Sequence, residues 1–204
     1  MHEDLAPLLT ADQALARMLA GNERFVRGEA HFPTVQKDIL AALAKQQRPY
    51  ATVLGCSDSR VPPELIFDAG FGELFVIRVA GNVLSAEIMG TMQYAAMHLK
   101  TELFVVLGHE GCGAVDATLS SRHGGVDHPE RIARLLESIT PALTAIDPAL
   151  PPDEQMHAAV EANVRWTMHQ ILETPEGQAR QEEGRLKLVG AVYALDTGQV
   201  RILS

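Results

Sequence analysis

Only two cysteines, Cys56 and Cys112, occur in 204 residues, too few for the disulfide framework of a small secreted domain. In a reducing compartment so sparse a pair is metal-binding, catalytic or simply buried, and the local setting has to decide. The chain also lacks any run of about 18 uninterrupted apolar residues that could cross a bilayer. Its first residues carry Glu3 and Asp4 where a signal peptide would carry bases. The expectation is a cytoplasmic protein with no membrane partner. Basic charge is short as well: 17 Lys and Arg against 26 Asp and Glu leave a net charge of −9. Neither nucleic-acid phosphates nor anionic lipids are favoured by such a balance, so a small molecule or another protein is the expected partner. Internal repeats, linkers and low-complexity stretches are missing too, which leaves a single domain over residues 1–204.

What is present is ordinary globular material. A hydrophobic content of 47% with 21% charged residues excludes disorder and fibrous repeats and suffices for one core. Thr10 and Gln13 have the form of a capping box, and Leu15, Met18, Leu19, Phe25 and Val26 recur at helical spacing, predicting a helix over 11–27. Ile39, Leu40 and Leu43 predict a second helix ending before Pro49. Short continuous apolar runs at 50–55, 74–79, 103–107 and 186–195 read as strands, with a last short strand at 200–203. Helical spacing returns after Ser85 and over 114–119, 129–139 and 153–172, while 120–129 is polar and Gly-rich and reads as a loop. Continuous rather than alternating apolar strands, separated by helices, are strands buried on both faces. The fold class is therefore α/β: a mostly parallel central β-sheet flanked by helices.

In such sheets ligands bind beyond the carboxyl ends of the strands. Cys56 directly follows one predicted strand, and His109 and Cys112 directly follow another. If those strands are neighbours, two sulfurs and an imidazole converge on one point, a donor set that suits Zn²⁺. No fourth Cys or His lies nearby in the sequence, and three protein ligands with an open position are the pattern of a catalytic zinc. Taken singly, the three residues have plainer explanations: small buried cysteines and a histidine capping a helix. A redox dithiol is a further alternative, although no local Cys-x-x-Cys is present. Asp58 and Arg60 alternate with Cys56, so in an extended segment all three lean to one side. Arg60 can then hold Asp58 as an ionised bidentate partner beside the metal. Two thiolates and a neutral histidine leave zinc formally neutral, which makes hydroxide formation harder and predicts activity rising with pH. Ser57 and Ser59 read as loop formers.

At this point the residues are recognisable. Cys56-Ser-Asp-Ser-Arg60 with Pro63-Glu64, then Phe75-Val-Ile-Arg-Val-Ala-Gly-Asn82, then Gly108-His109-Glu-Gly-Cys112-Gly113 closely resemble the β-class carbonic anhydrases, in order from about Gln47 to Ala117. The resemblance implies a zinc lyase that interconverts carbon dioxide and bicarbonate through zinc-bound hydroxide, with Cys56, His109 and Cys112 as ligands and Asp58 and Arg60 as the catalytic dyad. It also implies a homodimer or homotetramer whose site lies at the subunit interface, with Gln47, Phe75 and Tyr94 lining the substrate pocket. Gln47 would come from the partner, and the first helix would extend across the neighbouring subunit. Val79 departs from the asparagine that many members carry there, and the residues between His109 and Cys112 differ from the commoner forms; neither change removes a ligand. Some members lose activity at low pH when the dyad aspartate becomes a fourth ligand, and this chain has the parts. A subset hydrolyses carbon disulfide. The rival outside catalysis is a zinc-stabilised binding or signalling module with Asp58 as permanent fourth ligand. For a proton shuttle the sequence offers His2, His31, His98, His123, His128, His157 and His169 without choosing among them.

Overall fold

The computed structural model describes residues 9–31, 40–41, 43–122 and 127–203. Five strands form one sheet: β1 (Ala51–Gly55), β2 (Leu74–Arg78), β3 (Leu103–His109), β4 (Lys187–Tyr193) and β5 (Val200–Leu203). Their order is β2-β1-β3-β4-β5, with every pairing parallel except β4 with β5. The continuous apolar runs behave as expected. Every residue of β1 and β3 is buried, because these central strands are covered by helices on both faces. The edge strand β2 buries only Ile77.

Helix Ala11–Val26 opens on the expected capping box, with Gln13 N donating to Thr10 Oγ1 and Thr10 N to Gln13 Oε1. Its buried face is Ala14, Met18, Gly21 and Asn22, offset from the stripe that the large apolar residues suggest. The small Ala14 and Gly21 allow close approach, and Asn22 explains the rest. Its side chain donates to the carbonyls of Ile66 and Gly198 and accepts from Val200 N, tying the helix to its own domain. Leu15, Leu19 and Phe25 stay half-buried and Val26 exposed.

The second predicted helix falls partly outside the described residues; 40, 41 and 43 are helical. The predicted loop 120–129 begins later than expected, because helix Gly113–Arg122 runs on through Ser120 and Ser121; residues 123–126 lie outside the described set. After helix Ala86–Tyr94 the chain continues as a π-helical segment, Ala95–Leu99, closed by Lys100 at φ 58°. Helix Glu130–Ile139 precedes Pro152–Leu172, which packs along β3 and β4. A Cβ on Gly108 would stand 2.5 Å from Val164 Cγ2, so only glycine lets this helix lie directly on β3. Two short helices, Pro63–Ile66 and Pro175–Glu182, were not expected from the sequence. Among the described residues no helix is long and apolar enough to cross a membrane.

Candidate metal centre

The topology makes β1 and β3 hydrogen-bonded neighbours, with Gly55 opposite Leu107. Cys56 therefore leaves the sheet beside the end of β3. His109 is the last residue of β3, still paired with Tyr193 of β4, so the strand runs two residues further than the apolar run suggests. Cys112 precedes helix Gly113–Arg122. Amides of that helix's first turn, from Ala114 and Val115, face its sulfur, an arrangement that favours negative charge on the thiol. One nitrogen of His109 and the sulfurs of Cys56 and Cys112 all lie within 4.8 Å of one another, and all three residues are buried.

His109 Nδ1 lies 2.8 Å from the carbonyl of Glu110. A carbonyl can only accept, so Nδ1 carries the proton and Nε2 presents a lone pair. That Nε2 is buried without a hydrogen-bond partner, a costly condition unless something else fills the lone pair. The two sulfurs are held for the same purpose. The amides of Asp58 and Gly81 each approach Cys56 Sγ at 3.4 Å. The Cys112 thiol as the main donor, then the His109 ring and these two amides, outweigh the cost of burial and hold the Cys56 thiol well below its ordinary pKa. Cys112 is raised in turn, chiefly because its proton serves Cys56. A metal-ligating imidazole needs its other nitrogen anchored as His109 Nδ1 is. An orphaned imidazole nitrogen, a sulfur charged near neutrality and a second sulfur facing helix amides together fit a soft or borderline divalent ion.

Asp58 stands beside this cluster, its Oδ2 4.0 Å from His109 Nε2, too far for a hydrogen bond. Arg60 grips it: Nε and the backbone amide donate to Oδ1, both at 2.9 Å, and Nη2 to Oδ2 at 2.7 Å. The Arg60 hydrogen bonds hold the Asp58 carboxyl well below the usual carboxylate range. Arg60 Nη2 also reaches the carbonyl of Gly111, bridging the two loops.

The other three predicted residues do not gather here. Gln47 is exposed in the segment before β1. Phe75 pairs with Thr52, four residues short of Cys56, which sets it roughly 13 Å away along the strand. It stacks on Tyr94 with ring centroids 6.2 Å apart, and Tyr94 is 47% exposed. Within one chain Tyr94 faces solvent while Phe75 is half-buried against the core, well short of the cluster.

Several residues that shape the site carry no assigned role in the sequence. Arg78, at the end of β2, donates from Nε to the carbonyl of Cys56 at 2.8 Å and from Nη2 to that of Asp58, clamping the loop. Its signal was an arginine inside an otherwise apolar strand. Gly81 adopts φ 67°, and a Cβ there would meet Ile139 Cδ1 at 2.7 Å. Asn163 and Thr167, one turn apart on the buried face of helix 152–172, donate to the carbonyls of Gly81 and Asn82. His157 on the same helix, one of the histidines offered above as a proton shuttle, contacts Glu110, with Nε2 2.9 Å from Oε1.

A family model described as carbonic anhydrase matches residues 51–200. Carbonic anhydrase 2 of Mycobacterium tuberculosis is 38% identical over 181 residues, covering 88% of this chain and 86% of that protein. The carbonic anhydrase of Mycolicibacterium smegmatis is 37% identical over 184 residues, covering 90% and 89%. Among solved structures, Coccomyxa β-carbonic anhydrase in complex with acetazolamide superposes with a TM-score of 0.73 at 28% identity, covering 98% of this chain and 86% of that one. The β-carbonic anhydrase CcaA superposes with a TM-score of 0.74 at 26% identity, covering 93% and 87%.

Proposed function

The chain belongs to the β-class carbonic anhydrases, and from that premise we propose that Cys56, His109 and Cys112 hold a zinc ion beside Asp58 and Arg60 as the catalytic pair. The reaction is the reversible hydration of carbon dioxide to bicarbonate and a proton. The observation that carries the site reading is the buried lone pair on His109 Nε2, facing two sulfurs with no protein donor to fill it. Among the described residues no fourth Cys, His or carboxylate joins the cluster, a composition that catalytic zinc sites use to leave room for solvent. When bound, zinc brings the ionisation of a water toward neutral pH, less strongly than with three histidines because two thiolates offset its charge.

The chain's own groups do the rest. Asp58 is ionised and has both oxygens fixed by Arg60. Its Oδ2 accepts only one of these bonds and so keeps a lone pair that would take a proton donor at the centre and orient it for carbon dioxide. Arg60 keeps that carboxylate out of the ligand position by holding it in a bidentate grip. Arg78 fixes the backbone from which Cys56 and Asp58 both project.

Gln47, Phe75 and Tyr94 serve the site of a second copy. The distance of Phe75 from its own cluster and the exposure of Gln47 and Tyr94 support a homodimer, or a tetramer of paired dimers. There the aromatic pair would wall the apolar carbon dioxide and Gln47 would donate to a bicarbonate oxygen. The half-buried Leu15, Leu19 and Phe25 of the first helix support its packing on that partner, and Glu3 and Asp4, where a signal peptide would carry bases, support a cytoplasmic protein. Metal content and stopped-flow hydration test the roles together. Cys56→Ala loses metal and rate, whereas Asp58→Asn keeps metal and loses roughly a hundredfold or more in rate; a fully active Asp58→Asn protein contradicts the pair.

A further inference from the structure

Away from the metal centre, at the amino-terminal end of β3, a cavity of about 310 Å³ lies between the helices 86–99 and 175–182. Its apolar wall includes Met89, Met92, Met97, Phe104, Ile171 and Leu186. Three methionines give it a surface that reshapes around a ligand. Part of the wall is the π-helical segment Ala95–Leu99, a rare backbone form that recurs at functional sites. None of these residues touches the Cys56, His109 and Cys112 cluster, and the chemistry described above does not use them.

The charges around the cavity do not cancel in place. Glu183 pairs with Arg185 at 3.6 Å. Glu176 sits in the first turn of helix Pro175–Glu182, where the helix amides offset its charge. Arg180 remains: it is half-buried in the wall, and among the described residues no hydrogen bond or ion pair engages its guanidinium. Burial and the neighbouring Arg185 lower its pKa against the weaker pull of Glu183 and Glu102. A partly desolvated cation with no carboxylate in direct contact is unfavourably placed unless a ligand supplies one.

We propose that this cavity binds a free medium-chain alkyl carboxylate, its head group on Arg180 and its chain among Met89, Met92, Phe104 and Ile171. One planar guanidinium matches one bidentate, singly charged head group. The volume falls at the small end of ligand sites, roughly 300–1,000 Å³, which favours a chain of moderate length over a long one or a fused ring system.

The probe is sodium decanoate below its micelle concentration, titrated into the full-length zinc-loaded protein carrying ¹³C-methyl methionine. Calorimetry and methyl NMR read the result. The expected outcome is saturable binding of one decanoate per chain, with the Met89, Met92 and Met97 methyl signals moving together. Arg180→Gln should weaken binding by about tenfold or more, the loss of a charged hydrogen-bonded pair, and Arg180→Lys should restore part of it. Decanol and decyltrimethylammonium, which share the chain but not the anion, should bind progressively more weakly. Carbon dioxide hydration by both variants should match the wild type, which separates this site from the metal centre. Absence of saturable binding, as when a second copy of the chain fills the cavity, overturns the proposal. So do equal affinities for decanoate and decanol, or an Arg180→Gln protein that binds as the wild type does.

Discussion

Asn163 donates from its buried side-chain amide to the carbonyl of Gly81 at 2.8 Å, and Gly81 in turn points its own amide at Cys56 Sγ. Helix 152–172 therefore reaches the metal centre through a single glycine, where φ 67° strains other residues and an added Cβ would press on Ile139 Cδ1 and Ala114 Cβ. Asn163→Ala leaves a buried carbonyl unsatisfied, which costs about 1–3 kcal/mol, and frees the Gly81 amide to drift. Zinc affinity, measured by chelator competition, should fall by roughly tenfold or more, while the hydration rate at saturating zinc changes much less. Unchanged zinc affinity in a folded Asn163→Ala protein would show that the tether is only structural.

Asp58 stays ionised throughout the working range because Arg60 holds its pKa far down. Its own protonation therefore begins only below the ordinary carboxylate range, and the wild-type pH–rate profile should show no Asp58 step above about pH 4. Asp58→Asn should lower the rate at every pH without moving the midpoint of the profile. A midpoint displaced by a full unit would assign the titration to Asp58 after all.

The His157 and Glu110 pair gives a stability effect of opposite sign. The Glu110 carboxylate and the Asp153 carbonyl raise the His157 pKa above its ordinary 6.5. The pair's contribution is thus complete below pH 6.5 and is lost as the pH rises through the folded-state value. His157 is largely exposed, so the effect is small, up to about 1 kcal/mol. Denaturant titrations of His157→Ala should show a deficit at pH 6 that closes by pH 9. A deficit that is equal at both pH values would remove the ionic explanation.

A pocket shared between copies predicts complementation. Cys56→Ala destroys its own centre but still offers Gln47 to a partner, and Gln47→Ala does the reverse. Equal mixing of the two inactive proteins, with exchange of subunits, should restore about a quarter of the wild-type rate, since half the dimers are hybrid and each hybrid has one complete site. No recovery, in mixtures shown by mass spectrometry to contain hybrids, places Gln47 at its own subunit's centre.

The parts of the fold that the sequence made legible are those where one force dominates. β1 and β3 are buried on both faces, so their residues had to be apolar without a break, and the cluster followed from where those runs stop. Helix Pro175–Glu182 was invisible because its residues, PEGQARQE, have no apolar stripe; it forms on the cap that Thr174 offers to Gly177. The π-helical turn at 95–99 leaves no mark on a 3.6-residue period that continues through Ala95 and Leu99. Cys56, Asp58, Arg60, His109 and Cys112 could be named from chemistry and spacing. Arg78, Gly81 and Asn163 could not, because their work is done through backbone carbonyls and amides contributed by distant segments. Phe75 and Tyr94 illustrate a different limit, since a single chain does not say which subunit's centre a surface aromatic serves.

The most direct test is zinc stoichiometry measured alongside hydration rate in one preparation. The account predicts one zinc per chain, loss of carbon dioxide hydration when the metal is stripped, and its return in proportion to zinc added back, with Cys56→Ala unable to recover. Full hydration activity from a chain shown by elemental analysis to hold no metal would contradict it.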